Sequence, residues 1–194
     1  MPDIKKLAWM ILMIGAIAIT AATTTTASEA AQSIELKGCP NLHRVNDNYY
    51  RGAQPSEEGF RSLEKMGIKT VVNLRTSKSD RSRLKNTKLD YEHIWFKTWH
   101  PEEEDVVRFI NIVTDPKRQP VFVHCRHGAD RTGLMTALYR ITVDGWSKQD
   151  AIKEMTTGGF GFHPEWKNLI KFIEKFDVEE LRRQLDLEKT AKTP

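Results

Sequence analysis

Thirteen consecutive residues, Val121-Phe-Val-His-Cys-Arg-His-Gly-Ala-Asp-Arg-Thr-Gly133, constrain this chain more than any other stretch. Val121, Phe122 and Val123 form a short β-branched and aromatic run that suits a buried strand ending at His124. From Arg131 the pattern changes to helical spacing, with Leu134, Leu138 and Ile141 on one face. The loop between them therefore lies at a strand end and a helix N-terminus. Backbone N–H groups there lack intrahelical partners and the helix dipole adds partial positive charge, so an anion of phosphate size is welcome. Gly128 and Gly133 allow the backbone to approach closely.

Cys125 stands at the mouth of this cradle, where the donors that would hold a phosphate also stabilise a thiolate. The backbone of Arg126, His127, Gly128, Ala129, Asp130 and Arg131 supplies those donors. Arg131 offers a planar fork to two oxygens of a phosphoryl group, a geometry lysine does not match. Thr132 can donate a hydroxyl hydrogen bond to the sulfur.

Cys125, five residues, then Arg131-Thr132-Gly133, preceded by His124, resembles the signature of cysteine-dependent tyrosine and dual-specificity phosphatases. Outside the loop, Asn41-Leu-His-Arg-Val45, Tyr50-Arg-Gly-Ala-Gln-Pro55, Lys69-Thr-Val-Val72, Leu138-Tyr-Arg-Ile-Thr-Val-Asp-Gly-Trp146 and Gly158-Gly-Phe-Gly161 resemble the periplasmic bacterial enzymes of the TpbA type. The likeness runs from about residue 41 to 162 and takes in framework as well as loop positions. It implies attack by the Cys125 thiolate on a phosphate monoester and hydrolysis of the resulting thiophosphoryl enzyme by water. Arg131 and the loop amides would stabilise charge on the transferring oxygens, so no metal or other cofactor is expected. Thr132 would help the sulfur leave, and His124 would orient Cys125 rather than act as a base.

The general acid is where the chain departs from that pattern. The family carries an aspartate on the loop after the preceding strand, and alignment puts His100 or Pro101 of Thr98-Trp99-His100-Pro101 in its place. Glu102 is near in sequence and reaches the leaving oxygen if the loop bends. Asp105 falls inside the next helix, where dipole compensation is its ordinary role. Asp130 is preferred, because the loop itself guarantees its closeness to the phosphate; its alternative role is a brace accepting backbone hydrogen bonds. His124, Cys125 and His127 do not make a convincing metal site, since adjacent ligands in a tight loop converge poorly and Arg126 and Arg131 oppose a cation. His127 is read as an anion contact or as a support for Tyr50-Arg51.

Lys5 and Lys6 precede an apolar run from Leu7 to Ala22, with small and polar residues through Ala31. That is the pattern of an export signal over residues 1–30, with cleavage after Ala27 or Ala30 equally acceptable. A retained anchor is the weaker reading, because the sixteen apolar-run residues are short of a comfortable span. Roughly 160 residues then remain, enough for one good core. The net charge of +4 is modest and survives removal of the leader, since Lys5 and Lys6 balance Asp3 and Glu29. It points away from nucleic acid, and no membrane insertion is expected after cleavage. An exported, periplasmic or secreted chain would meet an oxidising environment, with Cys39 as the one other cysteine. A buried or merely exposed Cys39 is preferred over a disulfide to Cys125.

Asn46-Asp47-Asn48 makes a turn between short strands over 42–51. Ser56 opens a helix carrying Phe60, Leu63 and Met66 and stopped by Gly67. A strand over 70–74 leads into Arg75 to Lys88, a basic, serine-rich segment with a single acid, Asp80, read as mobile; Arg75 is its best candidate for reaching the pocket. A strand over 91–97, a helix with Pro101 in its first turn, and the catalytic strand follow. Ser147 caps a short helix, Gly158 to Pro164 is a flexible connection, and Trp166, Leu169, Ile170, Ile173 and Phe176 stripe a last helix. The phosphatase domain is expected over 40–177, with a charged tail fraying from 178 to 194. This order predicts an α/β fold: a mainly parallel sheet flanked by helices, with an N-terminal hairpin, C-terminal helices and the ligand at the strands' carboxyl ends.

Three functions compete. The resemblance implies a protein phosphatase acting on phosphotyrosine, with phosphoserine or phosphothreonine as lesser substrates. Its partner would be a phosphorylated protein, such as the periplasmic domain of a membrane signalling protein. Arg126, His127 and the basic segment also suit inositol phosphates or phosphoinositide headgroups. A catalytically dead phosphate-binding module is the third reading, opposed by intact Cys125, Arg131 and Thr132.

Overall fold

The computed structural model describes residues 29–191. All but the last two positions of the expected leader lie outside that range. Among the described residues no helix is long and apolar enough to cross a membrane.

The expected hairpin is present: β2 (His43–Asn46) and β3 (Tyr49–Gly52) pair antiparallel. A two-residue strand that the sequence did not reveal, β1 (Gln32–Ser33), adds to the edge of β2. Three further strands, β4 (Thr70–Asn73), β5 (Asp90–His93) and β6 (Val121–His124), join in parallel, giving the order β1-β2-β3-β6-β4-β5. Every contact among β3, β6, β4 and β5 is parallel, as expected for a ligand site at their carboxyl ends.

Period-two alternation sends the sheet's side chains into two cores. Val71 and Phe122 face α1 (Glu57–Lys65), where Phe60 and Leu63 are completely buried. Each such side chain is worth about 1.5–3 kcal/mol of burial. Ser56 starts this helix as expected, its Oγ accepting from Gly59 N at 3.1 Å, and Gly67 stops it at φ +96°. On the other face Val72, Val121 and Val123 pack with α2 (Glu103–Thr114), α3 (Asp130–Thr142), α4 (Lys148–Thr157), α5 (Lys167–Lys175) and α6 (Val178–Ala191). α3 is buried on most sides and forms the hub of this layer.

Four local expectations are corrected. The strand expected over 91–97 ends at His93. Pro101 lies outside α2, which begins at Glu103 with Glu102 as its extended N-cap. The charged end is helix α6, held because Leu181 is buried and Leu185 packs against the core. The basic segment after β4 is pinned rather than loose, because Asp80 and Leu84 are buried.

Candidate active site

Cys125 follows β6, the strand flanked on both sides by parallel neighbours, and its side chain is 2 % exposed. The loop then turns back on itself at Gly128, where φ is +73°. A Cβ there would lie 2.5 Å from the carbonyl carbon and oxygen of Gly52, so two glycines let the loop close onto the end of β3. Gln54 N–H donates to Arg126 O at 3.2 Å, fastening the other side of the turn. α3 starts directly at Asp130, so its first N–H groups face the loop.

Arg51 lies beneath this turn and is fully buried. Its Nη2 donates to Gly128 O at 2.7 Å and its guanidinium stands 3.8 Å from the centre of the Phe160 ring. Burial pushes this guanidinium down to about 10, with Tyr49, Glu154 and Cys125 pulling the other way. It remains a cation at neutral pH. Of the two readings of His127, a support for Tyr50-Arg51 gives way to the opposite relation, since Arg51 supports the loop through Gly128 O.

His124 is also fully buried. Its Nδ1 faces Cys125 O at 3.1 Å, and because a carbonyl only accepts, Nδ1 is the donor. Nε2 lies 3.0 Å from Asp80 Oδ2, a close polar contact rather than an aligned hydrogen bond. Asp80 further accepts Gln54 Nε2 at 2.8 Å and Asn73 Nδ2 at 2.7 Å. Burial pushes its carboxyl up, but His124, Gln54 and Arg83 together hold it below the usual carboxylate range. Sequence reasoning passed over Asp80, although one acid alone in a basic run was its signal.

Arg75 reaches this neighbourhood, as expected. Its Nη1 donates to Gln54 Oε1 at 2.5 Å, and burial, Arg83, Arg131 and Arg126 lower its guanidinium against the pull of Asp80. Arg75, the half-buried Arg131 and the exposed Arg126 thus share one field. That field suits an anion of high charge.

The connection from Gly158 to Pro164, expected to be flexible, is clamped to the loop. Asn41 Nδ2 donates to His127 O and Phe160 O, both at 2.9 Å. His163 N–H donates to Asp130 Oδ1 at 3.0 Å, and its ring Nδ1 lies 3.1 Å from Oδ1 and 2.9 Å from Oδ2. The His127 and His163 rings are 5.4 Å apart. Burial, Arg126, His163 and Arg131 hold His127 below the ordinary histidine range despite Asp130. His127, Asp130 and His163 bring ligand atoms within 4.8 Å of one another, the spacing of a metal cluster. Asp130 is already engaged by His163, and Arg126 and Arg131 sit alongside, so this mouth favours an anion over a cation.

The remaining expected residues are more scattered. Glu102 is partly exposed and pairs with Lys97 at 3.4 Å and His100 at 3.9 Å. Asp105 lies in the first turn of α2, its carboxyl raised by burial and by Glu102. Thr132 Oγ1 is buried with no hydrogen-bond partner among the described residues. Cys39 is a free, buried thiol that donates to Gly59 O at 3.3 Å in the α1-side core, whereas Cys125 belongs to the other core.

The family model described as DSP-PTPase phosphatase fused to NAD+ kinase matches residues 32–164. The dual specificity protein phosphatase TpbA of Pseudomonas aeruginosa is 30 % identical over 187 residues, covering 92 % of this chain and 85 % of its own. A crystal structure of P. aeruginosa TpbA in complex with phosphotyrosine matches with a TM-score of 0.73 and 30 % identity, covering 84 % of this chain and 99 % of that one. An inositol diphosphatase of Arabidopsis thaliana is 28 % identical over 156 residues, covering 75 % of this chain and 74 % of its own.

Proposed function

We propose a substrate class and a mechanism for this chain, which belongs to the DSP-PTPase phosphatase family. It hydrolyses phosphate monoesters through a thiophosphoryl enzyme at Cys125. Its main substrate is protein phosphotyrosine, with phosphoserine and phosphothreonine as lesser ones. The observation that carries this reading is the likeness, across 84 % of the chain, to a phosphatase crystallised with phosphotyrosine.

The Cys125 thiolate attacks phosphorus in line with the leaving oxygen; the sulfur–phosphorus bond forms as the phosphorus–oxygen bond breaks. The amides from Arg126 to Arg131 and the Arg131 fork bind the equatorial oxygens, and the Arg51 cation beneath Gly128 keeps the turn closed. Water then displaces the sulfur, which the Thr132 hydroxyl stabilises as it leaves. Positive charge comes from Arg131 and the helix terminus, so the reaction requires no metal.

A second reading keeps the chemistry and changes the substrate to an inositol phosphate or a phosphoinositide headgroup. Arg75 favours it by extending the cationic field beyond the phosphate loop. The full chain should be assayed on a phosphotyrosyl peptide, a phosphoseryl peptide and a diphosphoinositol phosphate. The main reading expects the highest kcat/KM on the phosphotyrosyl peptide; the highest value on the inositol compound hands the site to the second reading.

The leader pattern supports export to the periplasm and action on the periplasmic domain of a membrane signalling protein. Deleting the gene should raise phosphotyrosine on such a domain, and unchanged phosphorylation counts against this partner.

A further inference from the structure

The loop segment Thr98-Trp99-His100-Pro101 before α2 carries no carboxylate, so the proton that the leaving oxygen needs must come from another side chain. Of the four acids that follow, Glu102 to Asp105, the two partly buried ones are Glu102 and Asp105. The first is tied to Lys97 and His100, and the charges that bear on the second are Glu102, Arg108, Lys97 and Glu104. Both belong to the start of α2, and neither has a hydrogen bond or ion pair to the phosphate loop among the described residues. Asp130 is at the loop but is not free to donate. Oδ1 accepts the backbone N–H of His163, and both oxygens face the His163 ring at 2.9–3.1 Å. A proton placed on Asp130 would sit in that hydrogen bond, pointing at imidazole and not at substrate.

The ring is the exit for such a proton. His163 Nδ1 is committed to Asp130, which fixes the ring's orientation, and Nε2 on the far edge has no hydrogen-bond partner among the described residues. The side chain is 40 % exposed and stands beside His127 of the phosphate loop. Its backbone is held by the Asp130 contact and, three residues back, by the Asn41 bridge from His127 O to Phe160 O. The titratable and charged groups facing it are Asp130 and His127, with Arg126 and Arg131 behind the latter. Burial, Arg126, His163 and Arg131 lower the His127 imidazole, which disfavours it as a competing proton donor.

We infer that His163 is the general acid of this phosphatase, oriented by Asp130. The inference rests on the cysteine-dependent mechanism proposed above. As the phosphorus–oxygen bond breaks, the proton on Nε2 passes to the leaving oxygen, giving a neutral alcohol and a neutral imidazole. In the second step the same nitrogen takes a proton from the attacking water as the sulfur–phosphorus bond breaks, restoring the imidazolium. Asp130 holds the ring through Nδ1 in both steps. It is a positioning residue, and His163 is the catalytic one.

The test compares kcat/KM of the full chain and its His163→Asn variant on an alkyl phosphate and on nitrophenyl phosphate, whose leaving group needs no acid. Asparagine keeps an N–H in the place of Nδ1, so the clamp to Asp130 survives while the transferable proton is lost. The expected result is a loss of about hundredfold or more on the alkyl ester, with the aryl ester changed by less than about threefold. Equal losses on both esters, or no selective loss on the alkyl ester, overturn the inference. So does a leaving-group-selective loss in Asp130→Asn that His163→Asn does not share, which would make Asp130 the acid. Aryl activity in the parent serves as the separate control: its absence would sink the cysteine mechanism itself, whereas its survival in the variant shows that the site is folded.

Discussion

His124 Nε2 and Asp80 Oδ2 lie 3.0 Å apart, both side chains fully buried beneath the phosphate loop. With Nδ1 donating to Cys125 O, both ring nitrogens face acceptors, so the pair ties the segment after β4 to the backbone of the candidate nucleophile. Asp80 also gathers Gln54 and Asn73, which makes it the common anchor of three chain segments.

Asp80→Ala would leave His124 and two amide donors without their partner. We expect a loss of about 3–5 kcal/mol of stability, read from urea unfolding. The pH sense follows from the direction of the shift. Because the folded carboxyl lies below its ordinary value of 3.8, the stability Asp80 contributes is present above that value and is lost as pH falls below it. The gap between parent and Asp80→Asn should therefore narrow on acidification.

Arg51 holds Gly128 O with one charged hydrogen bond and stacks on Phe160. Lysine keeps the charge but not the planar fork that does both at once. A charged hydrogen bond is worth about 1.5–3 kcal/mol, so Arg51→Lys should lower kcat/KM by roughly tenfold to hundredfold on aryl and alkyl phosphates alike. A loss confined to alkyl phosphates would contradict a role in loop geometry.

Cys39 is pushed up to about 11 by burial and donates to Gly59 O. It should resist alkylation at neutral pH until the chain unfolds, and Cys39→Ala should retain full activity. Mass spectrometry of the oxidised protein should find no Cys39–Cys125 linkage. A dominant intramolecular disulfide would mean that the two cores open far more readily than their packing implies.

The Asp105 carboxyl is raised by burial and by Glu102. A raised carboxyl favours the fold most when protonated, so its contribution is present at low pH and is lost as pH rises through the folded value. Asp105→Asn should consequently stabilise the protein at neutral pH, with the gain fading on acidification, and should leave alkyl phosphate hydrolysis unchanged. A selective loss on alkyl phosphates would place Asp105 at the leaving group.

The strand, loop and helix around Cys125 were legible because one strong period change and two glycines fall within thirteen residues. The parallel sheet followed from helices alternating with strands. What the sequence hid were the tertiary clamps. Gly158 to Pro164 carries three glycines and read as loose chain, yet Asn41, Arg51 and Asp130 reach it from distant positions. Asp80 was lost inside a run of basic residues because charge counting cannot see a carboxylate turn inward. The end of the chain read as a fraying tail because a few apolar residues, Val178, Leu181 and Leu185, seat a helix whose sequence is dominated by charge.

The most direct test of the central claim is hydrolysis of nitrophenyl phosphate by the reduced full chain and by its Cys125→Ser variant, both in the presence of a metal chelator. The account predicts activity in the parent, its loss in the variant, and retained binding of phosphotyrosine by that variant. Activity that survives in Cys125→Ser, or a folded and reduced parent that hydrolyses nothing, would contradict a cysteine-dependent phosphatase.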